Sequence, residues 1–377
     1  MIRRIICISF ALLLLLGSVS CSPSGTGGAA GLPTPAPTPI PIPERHNDRI
    51  DAVLKHIRQR DLLTDHGFWT IFHGILGMGP DDAILLDTTT NKRVKAIDYL
   101  ASGARVRGLE FVPMADGLEV TTMPMSVIGQ GHQDQFVAEM AEWDLRRDKK
   151  FVVNGKDYTF DHFIRQAKAH ASLSANQAEG NPLELTWTIV IVSNYYGTDH
   201  HWTNNRGEKL SVEDMARYEL GQPISGAACG GTHRLFGLTW AYHLHRKAGG
   251  KKEGVWKEIA DQIKEYEGRA REFQNPDGSF STGYLEGPGN ESDSTLRIAT
   301  TGHILEWLAL AMTDTELRQP WVEKAADALT LMILENSFQS LDGGSLYHAA
   351  HGLELYRSRL SGSSDSQKLT IPLPPTD

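Results

Sequence analysis

Two kinds of predicted helix alternate along this chain, and the alternation limits the folds that it can adopt. In residues 255–273 and 321–333, apolar side chains recur at spacings of three and four, which is typical of a helix with one face in water. Residues 235–244 and 304–312 are instead apolar nearly all round, as in a helix buried on every side. The pattern therefore predicts buried helices surrounded by exposed ones.

The alternation continues through six predicted pairs, in each of which an exposed helix precedes a buried one. The pairs are 47–62 with 67–78, 92–101 with 131–143, 159–175 with 183–196, 211–221 with 232–247, 254–274 with 301–313, and 319–336 with 344–359. A repeat of about 50 residues built from helix pairs is typical of a closed or solenoidal array. Six buried helices inside six exposed ones predict an all-α fold, an (α/α)6 toroid. One alternative stays open, because residues 186–192 are rich in β-branched side chains and could form a strand.

Two segments interrupt the helical pattern and predict small β-hairpin insertions. Residues 106–120 turn at Ala115-Asp116-Gly117, and residues 151–158 turn at Asn154-Gly155. Asn-Gly favours the left-handed backbone of a two-residue hairpin turn, so the second hairpin has the stronger signal.

The N-terminal sequence predicts that the protein is located at the cell envelope. Arg3 and Arg4 precede an apolar run at 5–16, which is too short to span a membrane and is typical of a secretory signal. The end of the run, Ser18-Val19-Ser20-Cys21, resembles the cleavage site of bacterial lipoproteins. The resemblance implies a signal peptide at 1–20 and a lipid on Cys21 that anchors the protein to a membrane. Because such sites usually carry Leu where this chain has Ser18, secretion without an anchor is the alternative.

Composition divides the rest of the chain. Residues 21–45 form a linker rich in Pro, Thr and Gly, residues 46–360 the predicted helical domain, and residues 361–377 a polar tail predicted to be disordered.

The other two cysteines belong to the signal and the lipid site, so Cys229 is the one thiol expected in the mature domain. The net charge of −9 and the lack of a basic cluster argue against binding to nucleic acid.

A short element resembles a turn motif of terpenoid cyclases and protein prenyltransferase β-subunits, namely Gln-x-x-Asp-Gly-Ser-Trp/Phe. Its copy here is Gln274-Asn275-Pro276-Asp277-Gly278-Ser279-Phe280, and a weaker one is Leu341-Asp342-Gly343-Gly344-Ser345. In that superfamily the element closes an outer helix and tightens the turn to the next inner helix, which is its predicted place in this chain. The resemblance implies an α/α toroid and implies no activity.

Polar residues stand near the predicted starts of several buried helices, where free backbone N–H groups favour polar ligands. The inner helices of a toroid start at one mouth, so these residues predict a polar pocket lined by histidines. The candidate catalytic residues are His132, His233, His303 and Glu306. Further pocket candidates are Asp134, Cys229, Thr232, His73, Trp307, Tyr195, His200 and His201, with His66 and His348 on the first and last buried helices. For any single histidine, capping or core packing is the alternative.

Cys229 has three interpretations. A helix N-terminus would lower its thiol pKa, and His233 lies four residues on over the same face, so a Cys–His nucleophilic pair is the first. The second is a zinc site, with Cys229, His233 and His303 as ligands or with His132 as the third. The third is a small buried residue that lets helices approach.

Glycan chemistry is a further alternative. Polysaccharide lyases of this fold class commonly use Asn, His and Tyr, which Asn194-Tyr195-Tyr196 and His200-His201-Trp202 supply. Glycoside hydrolysis needs two facing carboxyl groups, for which the candidates are Asp134, Asp199 and Glu306. The thioester domains of complement-like proteins share the toroid, but Cys229-Gly230-Gly231-Thr232 lacks their glutamine, and the Asp-x-Asp-Asp run of triterpene cyclases is absent.

These observations predict a cell-envelope lipoprotein whose toroid is a ligand-binding or scaffold domain. The alternatives are a glycan-active enzyme and a metal-dependent enzyme that use the same pocket. The predicted partners are the membrane, through the lipid on Cys21, and a glycan or small molecule, and zinc is the candidate cofactor.

Overall fold

The structure is a computed structural model that describes residues 42–124, 126–178, 184–337, 341–361 and 371–375. The predicted signal peptide, Cys21, most of the linker and most of the tail lie outside the described residues. The described chain is mostly helical, with fourteen α-helices and nine short strands. None of the described helices is both long and apolar enough to cross a membrane.

The twelve helices of the six predicted pairs are all present. The helices predicted to be buried are α2 (Phe68–Met78), α4 (Gln135–Glu142), α7 (Thr186–Tyr196), α9 (Thr232–Lys247), α11 (Ser294–Ala311) and α14 (Gly343–Ser361). Their amphipathic partners are α1 (His46–Arg58), α3 (Ala96–Ala101), α5 (Phe160–His170), α8 (Val212–Leu220), α10 (Val255–Glu272) and α13 (Pro320–Glu335), and two short helices, α6 (Leu173–Ala178) and α12 (Asp314–Leu317), complete the set. The strand alternative for residues 186–192 is wrong, because this segment lies in α7.

Burial follows the two helix types. In α11 every residue from Thr300 to Ala311 is buried, whereas α10 buries one stripe that includes Trp256 and Ile263. The buried helices contact one another in chain order: α2 with α4, α4 with α7, α7 with α9, α9 with α11, and α11 with α14. Helix α14 in turn packs against α2. The amphipathic helices pack outside this set, for example α10 against α9 and α13 against α11.

The strands form four small sheets between the helices. They are β1 (Leu62–Leu63), β2 (Ile84–Asp87), β3 (Lys92–Lys95), β4 (Phe111–Pro113), β5 (Leu118–Val120), β6 (Lys150–Val153), β7 (Lys156–Thr159), β8 (His201–Thr203) and β9 (Lys209–Ser211). The predicted hairpins are β4–β5, where Phe111 pairs with Val120, and β6–β7. Hairpins β2–β3 and β8–β9 were not predicted. Each of β3, β7 and β9 leads directly into an amphipathic helix, so a hairpin followed by a helix recurs three times.

Several predicted helix boundaries are wrong, including the ends of α1, at Arg58 instead of 62, and of α5, at His170 instead of 175. Helix α3 begins four residues late because Lys92–Lys95 pairs with β2 instead. Helix α4 begins at Gln135, after Asp134 adopts a left-handed backbone with φ of 65°, so His132 lies in the preceding loop. Helix α11 begins at Ser294, where Asp293 accepts a hydrogen bond from the backbone N–H of the third helical residue. His303 therefore lies in the middle of its helix rather than at its start.

The Gln274 element joins three helices. The amide of Gln274 donates hydrogen bonds to the carbonyls of Gly278, at 2.9 Å, and Trp321, at 2.8 Å, which connects the end of α10 to α13. Gly278 has a φ of 99°, and a Cβ there would lie 2.5 Å from the carbonyl oxygen of Lys324. This position therefore requires glycine.

An Asp–Ser turn is common to both copies of the element. Asp277 accepts hydrogen bonds from the backbone N–H and the hydroxyl of Ser279, at 3.0 and 2.8 Å. Asp342 accepts the same two bonds from Ser345, at 2.9 and 3.0 Å, at the start of α14. The two copies thus share a side-chain turn despite their different sequences.

Candidate functional site

The buried helices enclose a small polar cavity, and all six of them contribute to its wall. Its lining is Leu76, Glu139, Glu142, Trp187, Thr232, His233, Phe236, His303, Glu306 and His348. Side chains nearly fill it, because only about 10 Å³ can take the centre of a water molecule. That is room for about one ordered water or one ion.

Five predicted histidines from separate segments meet around this cavity. The ring centroids of His303 and His348 are 4.1 Å apart, and that of His73 is 5.1 Å from His348. His233 lies 5.6 Å from His303 and 5.2 Å from His132 by the same measure. The side chain of His132 is 25% exposed, whereas the other four are buried. The cluster is therefore interior, and His132 is its outermost member.

Hydrogen bonds define the tautomer of two of these imidazoles. Nδ1 of His73 donates to the carbonyl of Trp69 at 2.8 Å, and Nδ1 of His303 donates to the carbonyl of Ala299 at 2.7 Å. Burial and the neighbouring histidines hold the pKa of both rings well below the usual value, so both are neutral at pH 7. Each ring is therefore left with a lone pair on Nε2, the form in which histidine binds metals.

The residues predicted as zinc ligands, Cys229, His233 and His303, lie together. One ligand atom from each residue, the sulfur and two ring nitrogens, all lie within 4.8 Å of one another. The side chain of His233 is only 5% exposed, yet neither of its ring nitrogens has a hydrogen-bond partner among the described residues. Burial lowers the pKa of His233 to about 3, so the ring is a neutral acceptor. Because buried polar groups in native proteins nearly always have a partner, the nitrogens of His233 are candidate ligand atoms.

Cys229 is held by an unusual backbone turn. Its φ is 47°, and Gly230 and Gly231 follow with φ of 60° and 80°, so three left-handed residues precede α9. Left-handed backbone is rare outside glycine and clusters at functional sites. A Cβ on Gly230 would lie 2.2 Å from the side chain of Tyr284, which is itself left-handed with a φ of 54°. The turn thus brings Cys229 against Tyr284 and the histidines.

The predicted lowering of the Cys229 pKa is wrong. Burial, together with the carboxylates of Glu184 and Glu306, raises the pKa of the thiol to about 12, and the hydrogen bond with Tyr284 only partly opposes this. The reason is positional, because Cys229 lies in the turn before α9 and not in its first helical turn. A neutral thiol is a poor nucleophile. This geometry therefore disfavours the Cys–His nucleophilic pair.

Glu184 is part of the site and was not predicted. Its Oε2 lies 3.4 Å from Nδ1 of His132 and 3.5 Å from Nδ1 of His233. Neither carboxylate oxygen accepts a hydrogen bond of normal geometry from the described residues, although the side chain is only 9% exposed. Burial raises the pKa of Glu184. The predicted buried helix at 183–196 includes Glu184, but its apolar pattern gave no reason to assign this carboxylate to the site, and the observed helix α7 begins two residues later.

A carboxylate with two histidine partners forms the opposite wall. Glu306 accepts hydrogen bonds from Nδ1 of His348 at 2.8 Å and Nδ1 of His351 at 2.6 Å. Burial alone would raise the pKa of Glu306, but these two histidines hold it well below the usual range. Burial raises the pKa of Glu139 to about 8 and that of Glu142 well above its usual value. The wall therefore combines the charged Glu306 with Glu139, which is protonated at pH 7, and with Glu142, whose pKa is also raised.

Three other predicted residues have structural roles. Asp134 accepts hydrogen bonds from His170 at 2.9 Å and from the hydroxyl of Thr188 at 3.0 Å. The indole of Trp307 donates to the hydroxyl of Thr239 inside the core. His66 accepts a hydrogen bond from the backbone N–H three residues before it, at 3.1 Å. None of these three lines the central cavity that the described residues form.

The residues predicted for a lyase lie elsewhere. The hydroxyl of Tyr195 donates to the carbonyl of Leu145 at 2.7 Å, and burial raises its pKa. The ring of His200 stacks 5.8 Å from that of Trp202, and His201 is an exposed residue of β8. His201 and Trp202 line a separate pocket at the β8–β9 hairpin, and none of these side chains lines the central cavity that the described residues form.

The comparisons with known proteins add no relative. No family model, no curated protein and no solved structure matches this chain.

Proposed function

We propose that this protein is a metal-binding (α/α)6 toroid of the cell envelope, with a zinc site formed by Cys229, His233 and His303 at its centre. The observation that carries the proposal is that one sulfur and two imidazole nitrogens lie within 4.8 Å of one another. Cys229 comes from the turn before α9, His233 from α9 and His303 from α11. The two histidines also line the central cavity.

The toroid is supported by the order of helix contacts. Each buried helix packs against the next along the chain, and α14 packs against α2, which closes the series. The amphipathic helices lie outside, and the two Asp–Ser turns stand between outer and inner helices. The resemblance to terpenoid cyclases and prenyltransferase β-subunits implies the same architecture.

The ligand set favours zinc. Thiolate and imidazole are the usual zinc ligands, and three protein ligands with an open fourth position are typical of catalytic sites. In a tetrahedral site with bonds of about 2.0 to 2.3 Å, ligand atoms lie about 3.5 Å apart. The three atoms here, within 4.8 Å of one another, need to close by about 1 Å. Metal binding also removes the proton from the Cys229 thiol, since a coordinated thiol ionises.

The cavity beside the site can exchange protons. Glu139 on one wall is protonated at pH 7, and Glu306 on another is charged. Bound zinc would lower the pKa of a water ligand to about 7. Among the carboxyl groups of the cavity, Glu139 would be the proton donor and Glu306 the acceptor. The cavity admits one water and no sugar ring, so this geometry favours the metal site over glycan chemistry.

The proposed location at the cell envelope rests on the N-terminal segment alone. A lipid on Cys21 would hold the domain at a membrane, with the linker at 21–45 as a spacer. Cleavage without lipidation would release the same domain as a secreted protein.

Metal content tests the central proposal. The full-length protein is purified without chelator, and zinc per chain is measured by mass spectrometry of the elements. Cys229→Ala and His303→Ala should each lose about one ion per chain relative to the wild type. His201→Ala, which removes an exposed histidine, should lose none. Added zinc should also raise the melting temperature of the wild type by more than that of Cys229→Ala. Equal zinc contents in the wild type and Cys229→Ala would contradict the proposal.

A further inference from the structure

We infer that a second metal ion binds to His132, Glu184 and His233, so that His233 joins two ions in one centre. The inference rests on the proposed function in one respect, because His233 is also a ligand of the first ion. One ligand atom from each of these three residues also lies within 4.8 Å of the other two. The second triad shares no other residue with the first.

The contact distances define where the second ion lies. Nδ1 of His132 and Nδ1 of His233 are 3.4 and 3.5 Å from the same oxygen, Oε2 of Glu184. These separations match the spacing of about 3.5 Å between ligands in a tetrahedral site. They are too long for good hydrogen bonds. The three side chains therefore have the spacing of metal ligands but form no good hydrogen bonds with one another.

Unpartnered atoms concentrate in this triad. Both ring nitrogens of His233 lack hydrogen-bond partners among the described residues, and neither oxygen of Glu184 accepts a hydrogen bond of normal geometry from them. The side chains of Glu184 and His233 are only 9% and 5% exposed. Buried polar atoms in native proteins nearly always have a partner. One ion satisfies Oε2 of Glu184 and Nδ1 of His233 at once.

The shared histidine can serve both ions because its two nitrogens lie on different edges of the ring. Nδ1 of His233 is the nitrogen that faces Glu184, which leaves Nε2 for the ion at Cys229 and His303. An imidazole that binds two ions releases its ring proton and becomes an imidazolate. Loading of the second ion therefore releases the ring proton of His233.

A buried ion pair positions the two inner ligands. Glu219 accepts a hydrogen bond from the backbone N–H of Leu185 at 2.6 Å and another from Nε of Arg234 at 2.6 Å. Leu185 follows Glu184 in the chain, and Arg234 follows His233. One carboxylate thus fixes the backbone next to both ligands. Ligands held before the ion arrives are typical of metal centres with a supporting layer of hydrogen bonds.

The second site differs from the first in its donor atoms and includes a loop residue. His132 lies in the loop before α4 and is 25% exposed. Its donor set of two nitrogens and one carboxylate oxygen is harder than the thiolate set of the first site. We therefore expect the second ion to bind more weakly and to exchange faster than the first.

A cobalt titration of the full-length protein tests the inference. Cobalt(II) reports on both sites, because tetrahedral cobalt absorbs visible light and a thiolate ligand adds a charge-transfer band in the near ultraviolet. The charge-transfer band should be complete at about one ion per chain, while visible absorption continues to about two. Glu184→Gln should stop at about one ion and keep the charge-transfer band. The exposed Glu335→Gln is the matched control and should behave as the wild type.

The possible outcomes separate the inference from the proposed function. A wild type that saturates at about one ion with the charge-transfer band would overturn the second site alone. So would Glu184→Gln that still binds about two ions. Absence of the charge-transfer band in the wild type would overturn the first site and with it the proposed function. If Glu184→Gln fails to fold, His132→Gln provides the same test from the exposed loop.

Discussion

Nε of Arg234 lies 2.6 Å from Oε2 of Glu219 in the interior of the protein, where the two side chains are 7% and 1% exposed. The other oxygen of Glu219 accepts a hydrogen bond from the backbone of Leu185, and Nη1 of Arg234 donates to the carbonyl of Pro223. The pair therefore joins helices α8 and α9 to the start of α7. Breaking this ion pair should lower the stability of the protein and also disturb the proposed metal centre.

Glu219→Ala should lower the free energy of unfolding by about 3 to 5 kcal/mol, because it leaves the Arg234 guanidinium buried without its partner. Urea denaturation at pH 7 measures the loss. The double variant Glu219→Leu/Arg234→Met, which removes both charges, should recover much of it. A double variant that is no more stable than Glu219→Ala would contradict this explanation.

His170 should make stability depend on pH above neutrality. Burial opposes its charge, but Asp134 at 2.9 Å and Glu119 at 3.5 Å outweigh burial and raise its pKa to about 10. The folded pKa exceeds the unfolded value of about 6.5, so the stabilisation is complete below pH 6.5 and is lost as the pH rises through 10. At about 1.4 kcal/mol per pKa unit, the stabilisation by charged His170 amounts to at most about 5 kcal/mol.

The measurement compares unfolding free energies of the wild type and His170→Gln between pH 6 and pH 10. The difference should be largest at pH 6 and should shrink steadily as the pH rises. His201→Gln, at an exposed position, should differ from the wild type by a constant amount. A difference between the wild type and His170→Gln that does not change with pH would exclude a charged His170.

The helices were predictable because burial leaves a periodic trace in the sequence. Helix α10 has one apolar stripe and α11 has apolar residues all round, and the structure places one outside and the other inside. Helix boundaries were less predictable where a polar side chain determines the residue at which the helix begins. Asp293 caps α11 about three turns before the apolar run at 304–312 begins, and nothing in the periodicity marks that point.

The hairpins were predictable only where the turn has a strong local signal. Asn154-Gly155 adopts the left-handed backbone that this pair favours, and β6–β7 forms around it. The β2–β3 turn uses Asn91, with a φ of 54°, after three threonines. That turn has no glycine, so its sequence does not stand out from a loop.

The sequence predicted which residue types form the site, but not which of these residues contact one another. Cys229, His233 and His303 stand out as polar residues near buried helices, but their contact depends on how α9 and α11 are rotated about their axes. The apolar pattern gave no reason to assign Glu184 to the site. Glu139 carried an available signal that was not used, because a charged residue in a helix buried on every side needs a partner.

Lipidation of Cys21 gives a prediction about location. In cells with lipoprotein processing, the wild type should partition into the detergent phase of a two-phase extraction, because an acyl-bearing cysteine supplies apolar area that the described helices do not. Cys21→Ser should move to the aqueous phase. Cys229→Ser, the matched cysteine control, should partition as the wild type. Detergent partition of Cys21→Ser would contradict anchoring through this residue.

The left-handed turn at Gly230 should be essential for the centre, and Gly155 provides a matched control. Both glycines have positive φ, 60° and 73°, but a Cβ at Gly230 would overlap Tyr284 whereas a Cβ at Gly155 would have nothing within 4 Å. Gly155→Ala should therefore lower the free energy of unfolding by about 1 kcal/mol, from backbone strain alone. Gly230→Ala adds an overlap in a packed interior, so its loss should reach about 3 kcal/mol.

The two variants should also differ in metal content. Gly230→Ala displaces the turn that holds Cys229 against His233 and His303, so it should lose zinc, while Gly155→Ala should keep the content of the wild type. Chemical denaturation and elemental analysis on the same preparations measure both effects. If Gly230→Ala lost stability but kept its zinc, the turn would be a structural feature and not a support for the ligand.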